Sequence, residues 1–203
     1  MVVLDIGALI LMGGKNSRMN GNVKGLLKIK NSTFLEKIQE TLNDFSSIYL
    51  SINDKFSKEQ KQNFENMGFK IIEDIYKEIG PLGGIYSSLL NCKEEYLFIT
   101  ACDMPFITKN SIEVLCKVDK NTDGVVFYDK NNKLYPLGAI YSKNVLPIIE
   151  EMIEKKYYKL SYLIEKSNFV KINIEKTDIP LKVLSNINTL QEYDLFINNE
   201  SLF

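Results

Sequence analysis

The stretch from Leu11 to Gly25 reads LMGGKNSRMNGNVKG, and it directly follows the apolar run GALI at 7–10. Four glycines, two lysines and an arginine fall within these fifteen positions. Glycine lets a backbone approach a phosphate closely, while lysine and arginine neutralise the phosphate charge. The stretch therefore predicts a phosphate-binding loop after a first β-strand, and the alternative is a surface loop whose basic residues are only solvated.

The loop matches neither of the two standard glycine patterns for phosphate binding. A Walker A loop requires GxxxxGK[ST], but Gly21 is followed by Asn22. The dinucleotide pattern GxGxxG also fails, because Gly13 and Gly14 are adjacent and no third glycine follows in frame. An enzyme that transfers hydride with a dinucleotide is therefore disfavoured.

Apolar runs alternate with amphipathic segments along the rest of the chain. Further strand-like runs lie at 46–53, 69–72, 95–100 and 124–129. Apolar residues at helical spacing follow a capping-box sequence at 33–36. The same spacing recurs at 57–66, 82–91, 108–117, 143–155 and 189–197. This alternation predicts a three-layer α/β fold, with a mostly parallel sheet and helices on both faces. Asn131 and Asn132 separate two strand-like runs, so a small β-hairpin is expected to project from the sheet around 128–142.

Composition predicts a single domain over residues 1–203. The chain is 45% hydrophobic, which is enough for one sizeable core. Its net charge of -1 provides no overall basic field for nucleic acid or an acidic membrane. No apolar run approaches the ~20 residues that span a bilayer, and the N-terminal apolar run reads as a strand rather than a signal peptide. A cytoplasmic protein is expected.

Three cysteines and the absence of histidine limit the possible chemistry. Cys92, Cys102 and Cys116 form no CxxC pair, so neither a zinc site nor a disulfide framework is expected. Without histidine, the usual general base and the Ser-His-Asp and Cys-His nucleophile systems are excluded. Carboxylates, lysine, arginine, backbone amides and a hard cation remain. Cys102 has no evident activator and is interpreted as a small buried hydrophobe.

Polar residues follow several of the predicted strands. Asn53, Asp74 and Asp103 stand at strand ends, as the glycine loop does after the first strand. Ligands of open α/β sheets bind outside these carboxyl ends. Asp103 lies in TACDMP at 100–105 and has two interpretations. It either holds Mg²⁺, which needs only one or two carboxylates beside water and phosphates, or caps the helix near Thr108.

Two other segments stay ambiguous on the residues alone. The sequence GPLGG at 80–84 either cradles a phosphate or a base at a helix N-terminus, or only packs that helix tightly on the sheet. The sequence NINT at 186–189 has the residues of an ordinary helix N-cap and could equally reach a ligand.

Together the motifs resemble those of the molybdenum cofactor guanylyltransferases, a family of Rossmann-like nucleotidyltransferases. The family pattern LAGGxSxRMG, with a lysine beyond it, is similar to Leu11 to Met19 followed by Lys24. Over nearly the whole chain the further motifs occur in the family's order: Asn53, Glu73 with Asp74, 80–84, Cys102 to Pro105, Tyr135 to Leu137, and 186–189.

Three positions depart from the family pattern. Met12 replaces alanine in the nucleoside-contacting part of the loop, Asn20 replaces glycine, and Val23 stands where some relatives have an acidic residue. Cytidylyl-transferring relatives typically read LAAG, so Gly13 favours guanine. Sugar nucleotidyltransferases and the methylerythritol-phosphate cytidylyltransferase usually carry proline at the position of Val23. These transferases and a non-catalytic nucleotide-binding module are the alternatives.

The resemblance implies roles for individual residues. Nucleoside contacts fall on Leu11, Met12, Gly13, Asn53 and Asp74. Triphosphate contacts fall on Gly14, Lys15, Ser17 and Arg18. Arg18, Lys24 and Asp103 are the implied catalytic residues, and Asp103 is also the implied ligand of GTP and Mg²⁺. The nucleotide-binding half is expected at about 1–105 and the acceptor-binding half at about 106–203, with Tyr135, Pro136, Asn186 and Asn188 on the pterin side.

The implied reaction transfers GMP from Mg·GTP to the terminal phosphate of molybdenum-molybdopterin and releases pyrophosphate. The implied partners are GTP, molybdenum-molybdopterin and the enzymes that insert molybdenum or receive the finished cofactor. Neither nucleic acid nor a membrane is expected as a partner. The basic stretch KKYYK at 155–159 either binds an anionic pterin or a partner protein, or is a solvated helix face, which is the preferred interpretation.

Overall fold

A computed structural model describes residues 6–13, 24–117 and 121–198 of the chain. Its strands are β1 (Ile6–Leu11), β2 (Lys28–Ile29), β3 (Ser32–Thr33), β4 (Ile48–Ile52), β5 (Lys70–Glu73), β6 (Tyr96–Ala101), β7 (Gly124–Tyr128), β8 (Leu134–Ser142) and β9 (Phe169–Asn173). Its α-helices are α1 (Phe34–Thr41), α2 (Lys58–Asn66), α3 (Pro81–Asn91), α4 (Lys109–Cys116), α5 (Leu146–Glu154), α6 (Leu160–Lys166) and α7 (Leu190–Asn198).

Strand β1 lies inside a seven-stranded sheet of order β5-β4-β1-β6-β8-β7-β9 among the described residues. It pairs in parallel with β4 on one edge and with β6 on the other. The pairs β4–β5 and β7–β9 are also parallel, whereas β8 is antiparallel to both of its neighbours. The mostly parallel sheet predicted from the alternation of patterns is confirmed.

The two faces of the sheet bury separate hydrophobic cores. Because side chains alternate along a strand, Ala8 and Ile10 of β1 enter one core and Leu9 and Leu11 enter the other. Helices α1, α2 and α4 contribute to the first core, and helices α3, α5 and α6 contribute to the second. The prediction of helices on both faces is therefore confirmed.

The predicted hairpin is present, but its strands belong to the central sheet. Strands β7 and β8 pair in antiparallel fashion around a turn in which Asn132 adopts a left-handed φ of 59°. Strand β8 also pairs with β6, from Ser142 up to Ala139, and it is buried there. Residues 134–137 extend beyond that pairing and are only partly buried. The base of the hairpin is therefore part of the sheet, and its outer part extends beyond the pairing with β6.

Four short elements and one connection differ from the sequence patterns. Strands β2 and β3, the edge strand β9 and the short helix α6 were not predicted, because each is brief. Strand β9 also shows only a weak alternation of buried and exposed residues. Residues 155–159 connect α5 to α6, so their interpretation as a helix face is wrong. No helix in the described part of the chain is long and apolar enough to cross a membrane.

A small ribbon, formed by β2 and β3, carries the chain from Lys24 into α1, and α7 holds it in place. The hydroxyl of Tyr193 donates a hydrogen bond to the carbonyl oxygen of Lys28 at 2.7 Å. The ring of Tyr193 also lies 5.9 Å from that of Phe34, within a third apolar cluster that includes the buried Ile187. The C-terminal helix thereby fixes the segment that follows Lys24.

The predicted capping box at the start of α1 is confirmed and allows a stability test. The hydroxyl of Thr33 accepts a hydrogen bond from the Glu36 N–H, and the Glu36 carboxylate accepts one from the Thr33 N–H. We expect Thr33→Ala to lower the free energy of unfolding by about 1 kcal/mol, because the Glu36 N–H loses its hydrogen-bond acceptor. Urea unfolding followed by circular dichroism measures this change. Ser32→Ala is the control, and equal effects of the two substitutions would contradict the capping role.

Candidate active site

A cleft of about 910 Å³ opens at the carboxyl ends of β1, β4, β5 and β6. Parallel strands bring their carboxyl ends to one edge of a sheet, so residues that follow different strands meet there. Gly13, Asn53, Asp74 and Asp103 all line this cleft, as the strand-end argument predicts. Gly14, Lys15, Ser17 and Arg18 lie outside the described residues.

One half of the cleft is built around Asp74. The amide of Asn53 donates to the Gly13 carbonyl oxygen at 2.7 Å, and the Ser51 hydroxyl donates to Asp74 Oδ1 at 2.6 Å. A Cβ at position 13 would lie only 2.6 Å from Asp74 Oδ2, so a side chain there would displace the carboxylate. Glycine at this position is thus needed for the close approach of the first strand end to Asp74.

Burial shifts the protonation of Asp74. Desolvation raises the pKa of its carboxyl group above the ordinary value, and the hydrogen bond from Ser51 opposes this only in part. With Ser51 on Oδ1, the Oδ2 atom faces Gly13 at the cleft wall. This half of the cleft therefore offers an incompletely solvated carboxylate oxygen, a good acceptor for ligand N–H groups.

Helix α3 closes the floor of the same half. A Cβ on Gly84 would lie 2.5 Å from Ser51 Oγ and 2.8 Å from Leu11 Cδ2, so the absence of a side chain lets the helix approach both strands. Gly80 and Pro81 at the start of α3 also line the cleft. Sequence reasoning left the role of 80–84 open and did not assign Ser51. The small residues at 83 and 84 were the available signal.

The other half of the cleft contains an ion pair. Lys24 Nζ lies 2.8 Å from Asp103 Oδ2, and both side chains are largely buried, with 15% and 14% of their surface exposed. Asn186 donates to Asp103 Oδ1 at 2.9 Å, while Asn188 Oδ1 accepts from Lys24 Nζ at 2.9 Å. Four side chains singled out from separate parts of the sequence thus form one network.

Asp103 is the carboxylate at this half that can hold a cation. Within the described ranges, histidine, cysteine, aspartate and glutamate side chains nowhere form a group of three or more able to hold a metal ion. A protein cage for Ca²⁺ or Zn²⁺ is therefore not formed by these residues. One carboxylate does suit Mg²⁺, which keeps waters and takes its other ligands from substrate phosphates.

Met12 and Cys102 pack beneath Lys24. Met12 is 2% exposed and belongs to the core, where its sulfur would lie 2.9 Å from a Cβ at Gly25. The side chain of Met12, where the family pattern has alanine, therefore fills space under the turn that carries Lys24. Burial raises the pKa of the Cys102 thiol to about 12, so the thiol is protonated at neutral pH. This agrees with its interpretation as a small hydrophobe.

The two hairpin residues expected on the acceptor side are engaged within the hairpin. The Tyr135 hydroxyl donates to Asp129 Oδ2 at 3.1 Å, and the Pro136 carbonyl oxygen accepts from the Tyr141 hydroxyl at 2.7 Å. Among the described residues that line the cleft, Leu137 is the one from this segment. The hairpin therefore reaches the cleft through Leu137.

Comparison with known proteins places this geometry among nucleotidyltransferases. Residues 8–169 match the family model described as the MobA-like NTP transferase domain. A protein of Clostridium perfringens named "probable molybdenum cofactor guanylyltransferase" is 34% identical over 96% of this chain and 98% of its own length. A Thermococcus sibiricus protein of the same name is 36% identical over 89% of this chain and 91% of its own.

A solved structure shares the fold. The molybdopterin-guanine dinucleotide biosynthesis protein A of Archaeoglobus fulgidus superposes with a TM-score of 0.81 and covers 97% of this chain and 100% of its own. Its sequence identity to this chain is 23%. The Rossmann-like three-layer arrangement is therefore common to both proteins.

The raised pKa of Asp74 predicts a defined dependence of stability on pH. A raised carboxyl pKa means that the folded protein binds this proton more tightly than the unfolded chain does. Its stabilising effect is full below the ordinary pKa of about 4 and is lost as pH rises through the folded value. We expect Asp74→Asn to remove this loss. Between about pH 4 and 7, the free energy of unfolding of the variant should therefore rise relative to that of the unmodified protein until the pH passes the folded pKa of Asp74.

Urea unfolding at several pH values measures this difference. Asp178→Asn, at an exposed aspartate, is the control for removal of one negative charge. A stability difference for Asp74→Asn that stays constant across this pH range would contradict the burial effect.

Proposed function

The chain belongs to the MobA-like NTP transferase family and is a nucleotidyltransferase, and we propose that it transfers GMP from Mg·GTP to the terminal phosphate of molybdenum-molybdopterin. The products are the guanine dinucleotide form of the cofactor and pyrophosphate. The observation that carries the proposal is the Lys24–Asp103 pair, which lies in the same cleft as the acceptor-rich pocket around Asp74.

The reaction suits a protein without histidine. The proposed nucleophile is a phosphate monoester whose second pKa is about 6, so it is largely ionised at neutral pH. It needs no side-chain base to attack the α-phosphorus of GTP. The bond between the α-phosphorus and the oxygen that links it to the β-phosphate breaks, and that oxygen leaves with pyrophosphate. At the same time a bond forms from an oxygen of the acceptor phosphate to the α-phosphorus. The protein is then required mainly for positioning and charge neutralisation.

Lys24 and Asp103 supply that function in the described part of the cleft. The Lys24 ammonium provides a compact positive charge for the phosphates. Asp103 would hold Mg²⁺, which when bound neutralises phosphate charge and the charge that develops on the leaving group. By resemblance, Gly14, Lys15, Ser17 and Arg18 bind the triphosphate, and these four assignments stay predictions.

The Asp74 half of the cleft supports guanine as the base. Guanine presents adjacent N–H donors on its Watson–Crick edge, and Asp74 Oδ2 is a partly desolvated acceptor at the cleft wall. The contact between Asn53 and Gly13 holds the neighbouring backbone in place. We assign the nucleoside to Gly13, Asn53 and Asp74 on this basis. By resemblance Leu11 and Met12 would also contact it, and these two assignments stay predictions.

The remaining assignments stay predictions. These are the nucleotide half at about 1–105, the acceptor half at about 106–203, the acceptor contacts of Tyr135 and Pro136, the cytoplasmic location, and the molybdenum-insertion and recipient enzymes as partners. The family model ends at residue 169, so the match itself does not extend to Asn186 and Asn188.

A pyrophosphate-release assay tests substrate choice. We expect release with Mg²⁺ and GTP only when molybdenum-molybdopterin is also present, because the acceptor phosphate is the nucleophile. CTP, ATP and UTP are the matched nucleotides, and a sugar phosphate is the matched acceptor. Release that prefers CTP, or that depends on the sugar phosphate, would overturn the proposed reaction.

Substitution of the ion pair tests the proposed roles. We expect Lys24→Ala and Asp103→Ala each to lower turnover by on the order of a hundredfold, comparable to the loss of one group that stabilises a transition state. Lys61→Ala breaks an exposed ion pair with Glu73 and serves as the control for loss of a lysine. Near-normal turnover in both cleft variants would refute these roles.

A further inference from the structure

We propose that Asn186 and Asn188 are positioning residues of the transfer reaction, Asn186 orienting the Asp103 carboxylate and Asn188 holding the Lys24 ammonium. The inference rests on the proposed function, because it assumes that Asp103 and Lys24 act on the nucleotide. It replaces the expectation that these two asparagines contact the acceptor.

Each residue of the segment 186–188 makes a contact with the ion pair. Asn186 Nδ2 lies 2.9 Å from Asp103 Oδ1, and Asn188 Oδ1 lies 2.9 Å from Lys24 Nζ. Between them, the Ile187 N–H donates to the backbone carbonyl oxygen of Asp103 at 2.8 Å. The segment is thus aligned with Asp103 through backbone and side chain together.

The chemistry of the partners fixes the direction of both amides. An ammonium group only donates hydrogen bonds, so Asn188 must present its oxygen to Lys24. An ionised carboxylate only accepts, so Asn186 must present its NH₂ group to Asp103. Two residues of the same type therefore have opposite roles, one as donor and one as acceptor.

The rest of the chain holds this segment firmly. The Ile187 side chain is 3% exposed and packs in the apolar cluster with Ile29 and Phe34. The Glu192 carboxylate of α7 accepts hydrogen bonds from the N–H groups of Asn188 and Thr189 at 2.6 and 3.1 Å. The two asparagine side chains are therefore projected from an anchored backbone, as positioning residues require.

The network also shows why positioning is needed. Lys24 donates to Asp103 Oδ2, so the two groups would have to share or give up this contact for Asp103 to hold a cation and Lys24 to bind the phosphates. Asn186, which donates to Oδ1, would keep the carboxylate plane oriented. Asn188 gives Lys24 a second acceptor, which limits the positions that its flexible side chain samples.

The opposite roles give a sharp test by substitution. Asn188→Asp keeps an acceptor for Lys24, whereas Asn186→Ala removes the donor to Asp103 without adding charge. With a non-hydrolysable α,β-methylene GTP analogue bound, we expect Asn186→Ala to lower Mn²⁺ affinity by about 10–100-fold, as loss of an outer-shell partner does. Asn188→Asp should leave that affinity undiminished. Electron paramagnetic resonance of free Mn²⁺ measures both.

Controls separate positioning from folding. Asn188→Ala removes the acceptor of Lys24 but leaves the donor to Asp103, and it should not lower Mn²⁺ affinity. Asn168→Asp, at an exposed asparagine before β9 at the far edge of the sheet, controls for the charge that Asn188→Asp adds. Thermal unfolding of each variant identifies any that is not folded, and Asn186→Leu, which also lacks the donor, keeps the test decisive if Asn186→Ala is one of these.

The outcomes distinguish this inference from the proposed function. Equal losses of Mn²⁺ affinity in Asn186→Ala and Asn188→Asp, or no loss in either Asn186 variant, would overturn the positioning role. A raised KM for molybdopterin with unchanged Mn²⁺ affinity would instead restore the acceptor-contact role. If the unmodified protein binds Mn²⁺ with the analogue but releases no pyrophosphate from GTP and molybdopterin, the proposed function fails, while the comparison among variants still decides the positioning role.

Discussion

The burial of β1 on both edges and both faces is the constraint on which the rest of the structure depends. Strands β4 and β6 satisfy its backbone, and helices on either side cover its side chains. Only apolar side chains and glycine occur in β1, and the polar groups of the cleft lie beyond its end at Leu11. Because the neighbouring strands run in the same direction, their own polar ends lie at the same edge.

Much of this arrangement could be predicted from the sequence, because the alternation of apolar runs and amphipathic segments is a local property. The order of the strands is not local. The turn at Asn131 and Asn132 predicts a hairpin, but whether that hairpin joins the sheet depends on the open edge of β6, which no pattern near the turn describes. Strand β9 was missed because an edge strand of five residues gives only a weak alternation signal.

The candidate site likewise combines features that local sequence patterns predict with features that depend on packing between distant elements. The strand-end rule predicts that Asn53, Asp74 and Asp103 meet, because sheet geometry alone brings them together. Ser51 escaped prediction, and the role of Gly84 stayed open between two interpretations, since both depend on the fit of α3 against two strands. At 186–189 the N-cap interpretation is confirmed, because Thr189 accepts a hydrogen bond from the Glu192 N–H. Asn186 and Asn188 contact the ion pair, and a contact of this segment with a ligand stays a prediction.

The contact between Lys24 and Asn188 joins residues 164 positions apart in the chain. Strands β1, β4, β5 and β6 all precede residue 102, so their pairing can begin while the later part of the chain is still on the ribosome. The asparagines that contact Lys24 and Asp103 are made after all four of these strands. A nascent chain in which these strands have already paired therefore does not yet have the network around Lys24 and Asp103.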